Sequence, residues 1–451
     1  MHTLITSKPS LPSYHGLKFL RNSESLSLPT KTRNWLDCTK HGIRQRKSSS
    51  LKSKQMTTSL LQSEVWKWPL RTTVFISDLH ADGDGLLASL VACGGIKKTG
   101  TADHQFKLTN HGQKMLFIFG GDFFDKGPSN LRLLRVLRLF IETGARVRIL
   151  AGNHDIRVLF GMRSAGQTHD PYNGHFFIRM GAKAIPFLRE IHDEFLSSKH
   201  SMKNIPDQQT CSGRLFPTKE WHQQFPTLAS WIMPPAAIER EMRKIQYKSE
   251  RFEKLCAKAG LTLRDVYAAA IQWQQLFLSE EGEFHWFFKR MRLAERKGSF
   301  LFIHAGIDDR VAAMLQRGNT LSALNQQFKK QIQGSPFEFY YGPIANSIRT
   351  KYRTIDMPLS AIGSKQIRKA GIHAIIHGHR NLLRGQRIAL RKNLLHFECD
   401  ITLDCDSRRK EGLKGAGAGA TIIQADGHII GISTDYPEIK LFHPESILSE
   451  K

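Results

Sequence analysis

Residues 115–155 read MLFIFGGDFFDKGPSNLRLLRVLRLFIETGARVRILAGNHD, and this stretch decides the fold. Met115–Phe119 is an apolar, aromatic-rich run of strand length that stops at Gly120 and Gly121. Asn130–Thr143 carries leucines at 131, 133, 134, 137 and 139, a helical spacing, and Gly144 supplies the stop. Val147–Leu150 is a second short β-branched run. Strand, helix, strand predicts a βαβ unit and therefore a layered α/β core.

Working outward, runs of the same kind occur at Thr73–Ile76, Phe300–Ile303 and Ala374–Ile376. All five runs are followed at once by a polar cluster: Ser77-Asp78-Leu79-His80, Gly120-Gly121-Asp122-Phe123-Phe124-Asp125, Gly152-Asn153-His154-Asp155, His304-Ala305-Gly306 and His377-Gly378-His379. In α/β sheets, ligands bind beyond the carboxyl ends of the strands, so five clusters are expected to converge on one site. Asp, His and Asn without Cys suit divalent Mn, Fe or Zn. A two-metal hydrolytic centre, with ions about 3.5–4 Å apart, needs a bridging carboxylate and neutral imidazoles. Asp122 is the natural bridge, and alternation at a strand end is expected to point Asp78 and His80 the same way.

The remaining chain is read more coarsely. Residues 1–55 hold eleven Lys/Arg against Glu24 and Asp37, a net of +9 out of +26 for the chain. Residues 1–69 are therefore expected to be a basic, Ser-rich disordered extension: an organelle transit peptide, or a stretch upstream of a true start near Met56. The rest is still basic, which fits a phosphorylated substrate or a solvated surface. Residues 70–155 and 299–440 are assigned to the core, 156–298 to a mainly helical insertion or cap, and 441–451 to a tail. Within the insertion, Pro235 opens an amphipathic stretch ending at Gly260, Thr262 with Asp265 forms a capping pair, and Leu276–Arg296 carries aromatics at helical spacing. Trp273, Phe277, Phe284, Trp286, Phe287 and Phe288 are read as core before base-stacking platforms. Leu394–Cys399, Thr421–Gln424 and His428–Ser433 read as strands, the last two joined by a hairpin turn at Asp426-Gly427. Asp82-Gly83-Asp84-Gly85 starts a helix and is not a calcium loop, and the Gly415–Gly419 alternation precedes a strand. Six scattered cysteines indicate neither a disulfide framework nor a thiolate zinc site, so an intracellular, reducing location is expected: bacterial cytoplasm, or plastid or mitochondrion if the extension is a transit peptide. No apolar run is long enough for a membrane helix.

The order D-x-H, G-D-x-x-D, G-N-H-D, H-A-G and G-H resembles the calcineurin-like metallophosphoesterases over about 73–155 and 300–380. The resemblance implies a four-layer α/β/β/α core, here with a helical insertion. It implies a first divalent ion on Asp78, His80 and Asp122 and a second on Asp122, Asn153, His304 and His379. It further implies in-line attack by a metal-activated hydroxide, with His154 protonating the leaving oxygen and Asp125 orienting His154. The phosphoprotein-phosphatase branch has arginines where this chain has Lys126 and Ala151, so Lys126, Arg380 and Arg163 are the candidate phosphate-binding residues. Diesterase branches often end G-H-x-H, whereas the last position here is Asn381. The lone His379 resembles the monoester-cleaving branches, phosphoprotein-phosphatase-like or Shewanella-like, and the dinucleoside-polyphosphate-cleaving branch. His377 is left between metal ligand and structural residue. The expected function is hydrolysis of phosphate monoesters on a protein, nucleotide or other small molecule. The rivals are a nucleic-acid phosphodiesterase or nuclease, and a non-catalytic basic binding module on the same fold.

Overall fold

In a computed structural model of the chain, residues 9–40, 65–198, 202–316 and 320–443 are described. The strands in chain order are β1 (Lys31–Asn34), β2 (Thr73–Ile76), β3 (Ile96–Lys98), β4 (Phe106–Leu108), β5 (Leu116–Phe119), β6 (Arg146–Leu150), β7 (Met291–Arg292), β8 (Ala294–Lys297), β9 (Phe300–Ile303), β10 (Ala374–His377), β11 (Arg387–Arg391), β12 (Leu394–Glu398), β13 (Gly419–Ile423), β14 (Ile429–Ser433) and β15 (Glu438–Phe442). One sheet runs β1-β15-β14-β13-β2-β5-β6-β7, a second runs β11-β12-β10-β9-β8, and β3 pairs with β4. Within the first sheet β2, β5 and β6 are parallel neighbours; within the second, β9, β10 and β12 are.

Alternation along each strand explains the layering. Phe75, Leu116 and Ile118 of the first sheet meet Phe300, Phe302, Ile376, Leu395 and Phe397 of the second in one apolar cluster. Their neighbours Val74, Ile76, Phe117, Leu301, Ile303 and Ile375 point the other way, into a cluster shared with the helices. Two sheets face to face with helices outside them is the expected α/β/β/α arrangement. The helix Asn130–Glu142 joins β5 to β6, starting where the Ser129 side chain accepts from Arg132 N–H. Asp82 caps the helix Gly83–Ala92 by accepting from Gly85 N–H.

Between β6 and β7 the chain is helical, including Phe176–Met180, Ile185–Phe195, Pro235–Lys258, Leu263–Leu278 and His285–Arg290. The Thr262–Asp265 capping box forms as expected. The helical spacing read over Leu276–Arg296 falls on the end of one helix, a second short one, and strands β7 and β8, because Glu281-Gly282 interrupts the helical run. Its aromatics are core: Trp273 stacks on Phe277 (centroids 4.7 Å apart) and Phe277 on Phe284 (4.9 Å), all buried.

The disordered extension is corrected over residues 9–40 and 65–69. Strand β1 pairs in parallel register with β15, Lys31 opposite Glu438, and closes that sheet edge. Trp35, 1% exposed, enters the cluster between the sheets and meets Phe397 edge-on. Trp66 and Trp68 pack on Phe300, and Lys67 and Ser299 exchange backbone and side-chain hydrogen bonds. A few large apolar side chains spaced among Ser and Lys suffice to anchor the segment, and average composition hides them. Residues 41–64, which include Met56, lie outside the described residues.

Candidate metal centre

The five clusters leave β2, β5 and β6 of one sheet and β9 and β10 of the other, so the site spans the adjoining ends of both sheets. Backbone hydrogen bonds stitch the loops together: Asp78 N–H donates to Gly121 O (3.0 Å), His80 N–H to Asp122 O (2.9 Å) and Gly378 N–H to His304 O (2.8 Å). Asp78, His80, Asp122, Asp125, Lys126 and His379 all have positive φ, between 42° and 71°. Left-handed backbone at non-glycine residues costs energy and persists where surrounding structure enforces it, typically at functional sites. It also corrects the expectation for Asp78 and His80: β2 has ended at Ile76, and left-handed turns, not strand alternation, bring the two together. Close approach is bought with glycine at Gly152 and Gly378, where an added Cβ would fall on Asp122 and on the Asp78 carboxylate respectively.

Asp122 lies at the centre. One carboxylate oxygen is 3.8 Å from His80 Nε2 and the other 3.5 Å from His304 Nε2, so each oxygen faces a different donor group. On the first side, His80 Nε2 is 4.0 Å from Asp78 Oδ1, and His154 Nε2 is 3.9 Å from Asp122 Oδ2. On the second, His304 Nε2 is 3.2 Å from both His379 Nδ1 and Asn153 Oδ1. The Asn153 amide satisfies both imidazoles with its nitrogen turned inward and adds a ligand oxygen when reversed.

Each imidazole is held in one tautomer. His80 Nδ1–H donates to Phe124 O (3.2 Å), His304 Nδ1–H to Gly120 O (2.8 Å) and His379 Nε2–H to Arg349 O (3.1 Å), leaving the opposite nitrogen's lone pair facing the cluster. Ring nitrogens converging on carboxylate oxygens are an arrangement that bound cations relieve, and although burial opposes it, Asp122 and Asp78 raise the His304 imidazole above its ordinary value. The donor atoms gather in two groups whose chemistry fits divalent ions, His80, Asp122 and His154 on one side and Asp122, His304 and His379 on the other. His154 takes the place in the first group that the resemblance gave to Asp78. Burial pushes the Asp122 carboxyl up, but His304, His154, His80 and His379 together hold it well below the usual range. Burial, reinforced by Asp122, raises Asp78 to about 6. Burial drives His80 and His379 well below the ordinary imidazole value, so both stay neutral as ligands must be.

Beside this cluster, His154 Nδ1 meets Asp125 Oδ2 at 2.9 Å, with Nε2 directed toward Asp122. Arg157 also bonds Asp125. Lys126 Nζ donates to His80 Nε2 (2.7 Å), the atom an ion would take, so these two partners exclude each other. The other two phosphate-binding candidates are corrected. Arg163 donates to Ile332 O, Gln333 O and Gly334 O, closing the C-terminus of the helix Leu321–Gln333. Arg380 is tied to the buried carboxylate of Glu398, which it shares with Arg387 and Arg391. His377 is fully buried, bonded to Gly378 O and packed against His396; it stands outside both donor groups.

Three residues were missed. Asp155 accepts from Asp122, Phe123 and Gly152 N–H (2.8–2.9 Å) and so shapes the loop holding the bridge. Arg157 lies three residues past His154 on the same helical face, a spacing that was available to read. Asp400, just beyond β12, is buried, and burial with the charges of Asp78 and Asp122 raises its carboxyl; a single carboxylate between Cys399 and Ile401 gave no motif to find.

Residues 71–244 match the family model described as calcineurin-like phosphoesterase. Among solved structures, the chain is similar to a cold-active protein-tyrosine phosphatase of a psychrophilic Shewanella species, at 13% identity and a TM-score of 0.41, over 83% of this chain and 81% of that one. It is also similar to a protein serine/threonine phosphatase from Saccharomyces cerevisiae, at 11% identity and a TM-score of 0.35, over 88% and 89% of the two chains. No curated protein matches the sequence.

Proposed function

We propose that this chain, a calcineurin-like phosphoesterase over residues 71–244 and hence a hydrolase of phosphoric esters, is a metal-dependent phosphatase acting on phosphate monoesters. The observation that carries the reading is the Asp122 carboxylate, with one oxygen toward His80 and the other toward His304. Two divalent ions, when bound, would lower the pKa of a water to near neutrality and offset charge on the phosphoryl oxygens.

The protein's own residues do the rest. Asp125 fixes the His154 ring through Nδ1, so Nε2 is the atom that exchanges a proton with the leaving oxygen. Arg157, bonded to the same carboxylate, holds Asp125 ionised and adds a fixed positive charge on that side. Lys126 is a mobile point charge for the phosphate once displaced from His80. Trp273, Phe277, Phe284, Phe287 and Phe288 are buried, which removes most of the stacking surface on which a nuclease reading drew. Among the described residues no helix is long and apolar enough to cross a membrane.

The test is hydrolysis of p-nitrophenyl phosphate and of its bis ester by protein stripped of metal and then given Mn²⁺, Fe²⁺ or Zn²⁺. Metal-restored monoester turnover is expected. Turnover of the diester alone would replace the reading with a phosphodiesterase, and inactivity on both would favour a binding module.

A further inference from the structure

The second sheet ends, away from the metal centre, in a cavity walled by cations. Strand β12 runs parallel to β10, with Leu395 opposite Ala374, so the turn Lys392-Asn393 just before β12 lies at the end of the sheet opposite His379, which follows β10. That turn is tight: Arg391 pairs with Leu394 across it, and its two residues have left-handed backbone, with φ of 50° and 63°. Ser364, Lys365, Arg368 and Lys369, from the helix Ala361–Lys369 that leads into β10, join Lys392 and Asn393 in lining one cavity of about 440 Å³.

Four of these side chains are cationic, and no carboxylate lines the cavity. Asp309 faces the other end of the helix, where it accepts from Ser360 N–H (2.8 Å). Lys365, Lys369 and Lys392 make no ion pair among the described residues. Basic residues in a last helical turn complement the helix dipole, which accounts for Arg368 and Lys369. It does not account for Lys365, one turn earlier, or for Lys392, brought from another element. The Ser364 hydroxyl, on the same wall, is buried and makes no hydrogen bond among the described residues, whereas buried hydroxyls are ordinarily bonded. A hydroxyl donor beside four cations suits an anion with several acceptor oxygens. The volume is that of a small-molecule site, and no aromatic ring lines it on which a base would stack. No His, Asp or Glu lines it either, so the cavity can hold a ligand but has no group to cleave one.

We propose that this cavity is a second binding site, separate from the metal centre, for a small molecule bearing several phosphate groups. The three lysines act as point charges toward its oxygens, and half-buried Arg368 supplies the one planar fork. Such a site stands whether or not the metal centre hydrolyses monoesters.

The experiment titrates pyrenetetrasulfonate, a fluorescent tetra-anion with no phosphoester to cleave, into the metal-loaded full chain and reads its fluorescence anisotropy. Saturable one-to-one binding is expected, reversed by inorganic tripolyphosphate at concentrations where inorganic phosphate has little effect. The double variant Lys365→Met/Lys369→Met is expected to bind about tenfold more weakly and Lys392→Met about fivefold, the effect of one or two exposed charge pairs, while Lys107→Met on β4 stays within about twofold of wild type. All four lysines are exposed, so the variants should fold, and Lys392 tests the cavity from a different element than Lys365 and Lys369. Absence of saturable binding in wild type, binding that survives in both cavity variants and so belongs elsewhere, the metal centre included, or equal weakening by Lys107→Met overturns the site. Displacement by inorganic phosphate as readily as by tripolyphosphate overturns the assignment of a ligand with several phosphates.

Discussion

His80, His304 and His379 each give one ring N–H to a backbone carbonyl, and those carbonyls belong to Phe124, Gly120 and Arg349, in loops that also carry site residues. Ligand orientation is thus written into the backbone, which is why so many site residues tolerate left-handed φ. Asp122 and His154 should separate binding from chemistry. Asp122→Asn removes the charge both donor groups share, and is expected to abolish metal content and turnover together, read by elemental analysis and p-nitrophenyl phosphate hydrolysis. His154→Asn should keep most of the metal while slowing turnover by roughly 10²–10⁴-fold, the usual worth of a positioned acid–base group. Wild-type rates in both variants would end the proposed division of roles. Asp155 makes a third, independent case: its carboxylate accepts three backbone N–H groups around the bridge. Asp155→Asn turns an acceptor into a donor against one of them, at a cost of about 1–3 kcal/mol, visible as a lower melting temperature and weaker metal retention.

At the level of elements, the strands that lead to chemistry were legible because each is a short apolar run stopped by Gly or a charge. The expected Thr73–Ile76 and Phe300–Ile303 coincide with β2 and β9, and Ala374–Ile376 falls one residue short of β10. What could not be read are elements whose order comes from partners far along the chain. Strand β1, Lys-Thr-Arg-Asn, has no apolar pattern of its own and exists because β15 offers an edge some 400 residues later. Likewise Arg349 reaches the site through tertiary packing of Tyr340, not through any motif. The anchoring of β1 has a consequence for the extension. A chain starting at Met56 lacks Trp35, and Trp35→Ala alone is expected to cost about 3–5 kcal/mol through the cavity left between the sheets. Thermal or urea unfolding of both, beside the full chain, measures this. Equal stability of all three would mean that the segment only rests on the fold. N-terminal sequencing of mature protein should correspondingly find residues 31–40 retained.

For the molecule as a whole, the net charge of +26 poses a problem of arrangement as much as of amount. The insertion holds one cation, Arg179, inside the fold by pairing it with Glu241, both nearly buried. Burial pushes the Glu241 carboxyl up, yet Arg179, Lys244 and His175 overcome it and hold it at about 2, below its ordinary 4.5. A carboxylate whose pKa is depressed in the folded state contributes stability that is fully present above the unfolded value and is lost as pH falls through the folded one. The contribution should therefore vanish between about pH 4.5 and 2. Glu241→Gln leaves Arg179 buried without its counter-charge, which is expected to cost about 3–5 kcal/mol near neutral pH. Other carboxylates, Asp122 among them, also titrate in acid, so the informative quantity is the difference in melting temperature between wild type and Glu241→Gln as a function of pH. That difference should be constant from pH 7 to 5 and narrow steadily below 4.5. A gap independent of pH down to 2 would show that the pair's ionisation contributes nothing, and that Glu241 acts by packing alone.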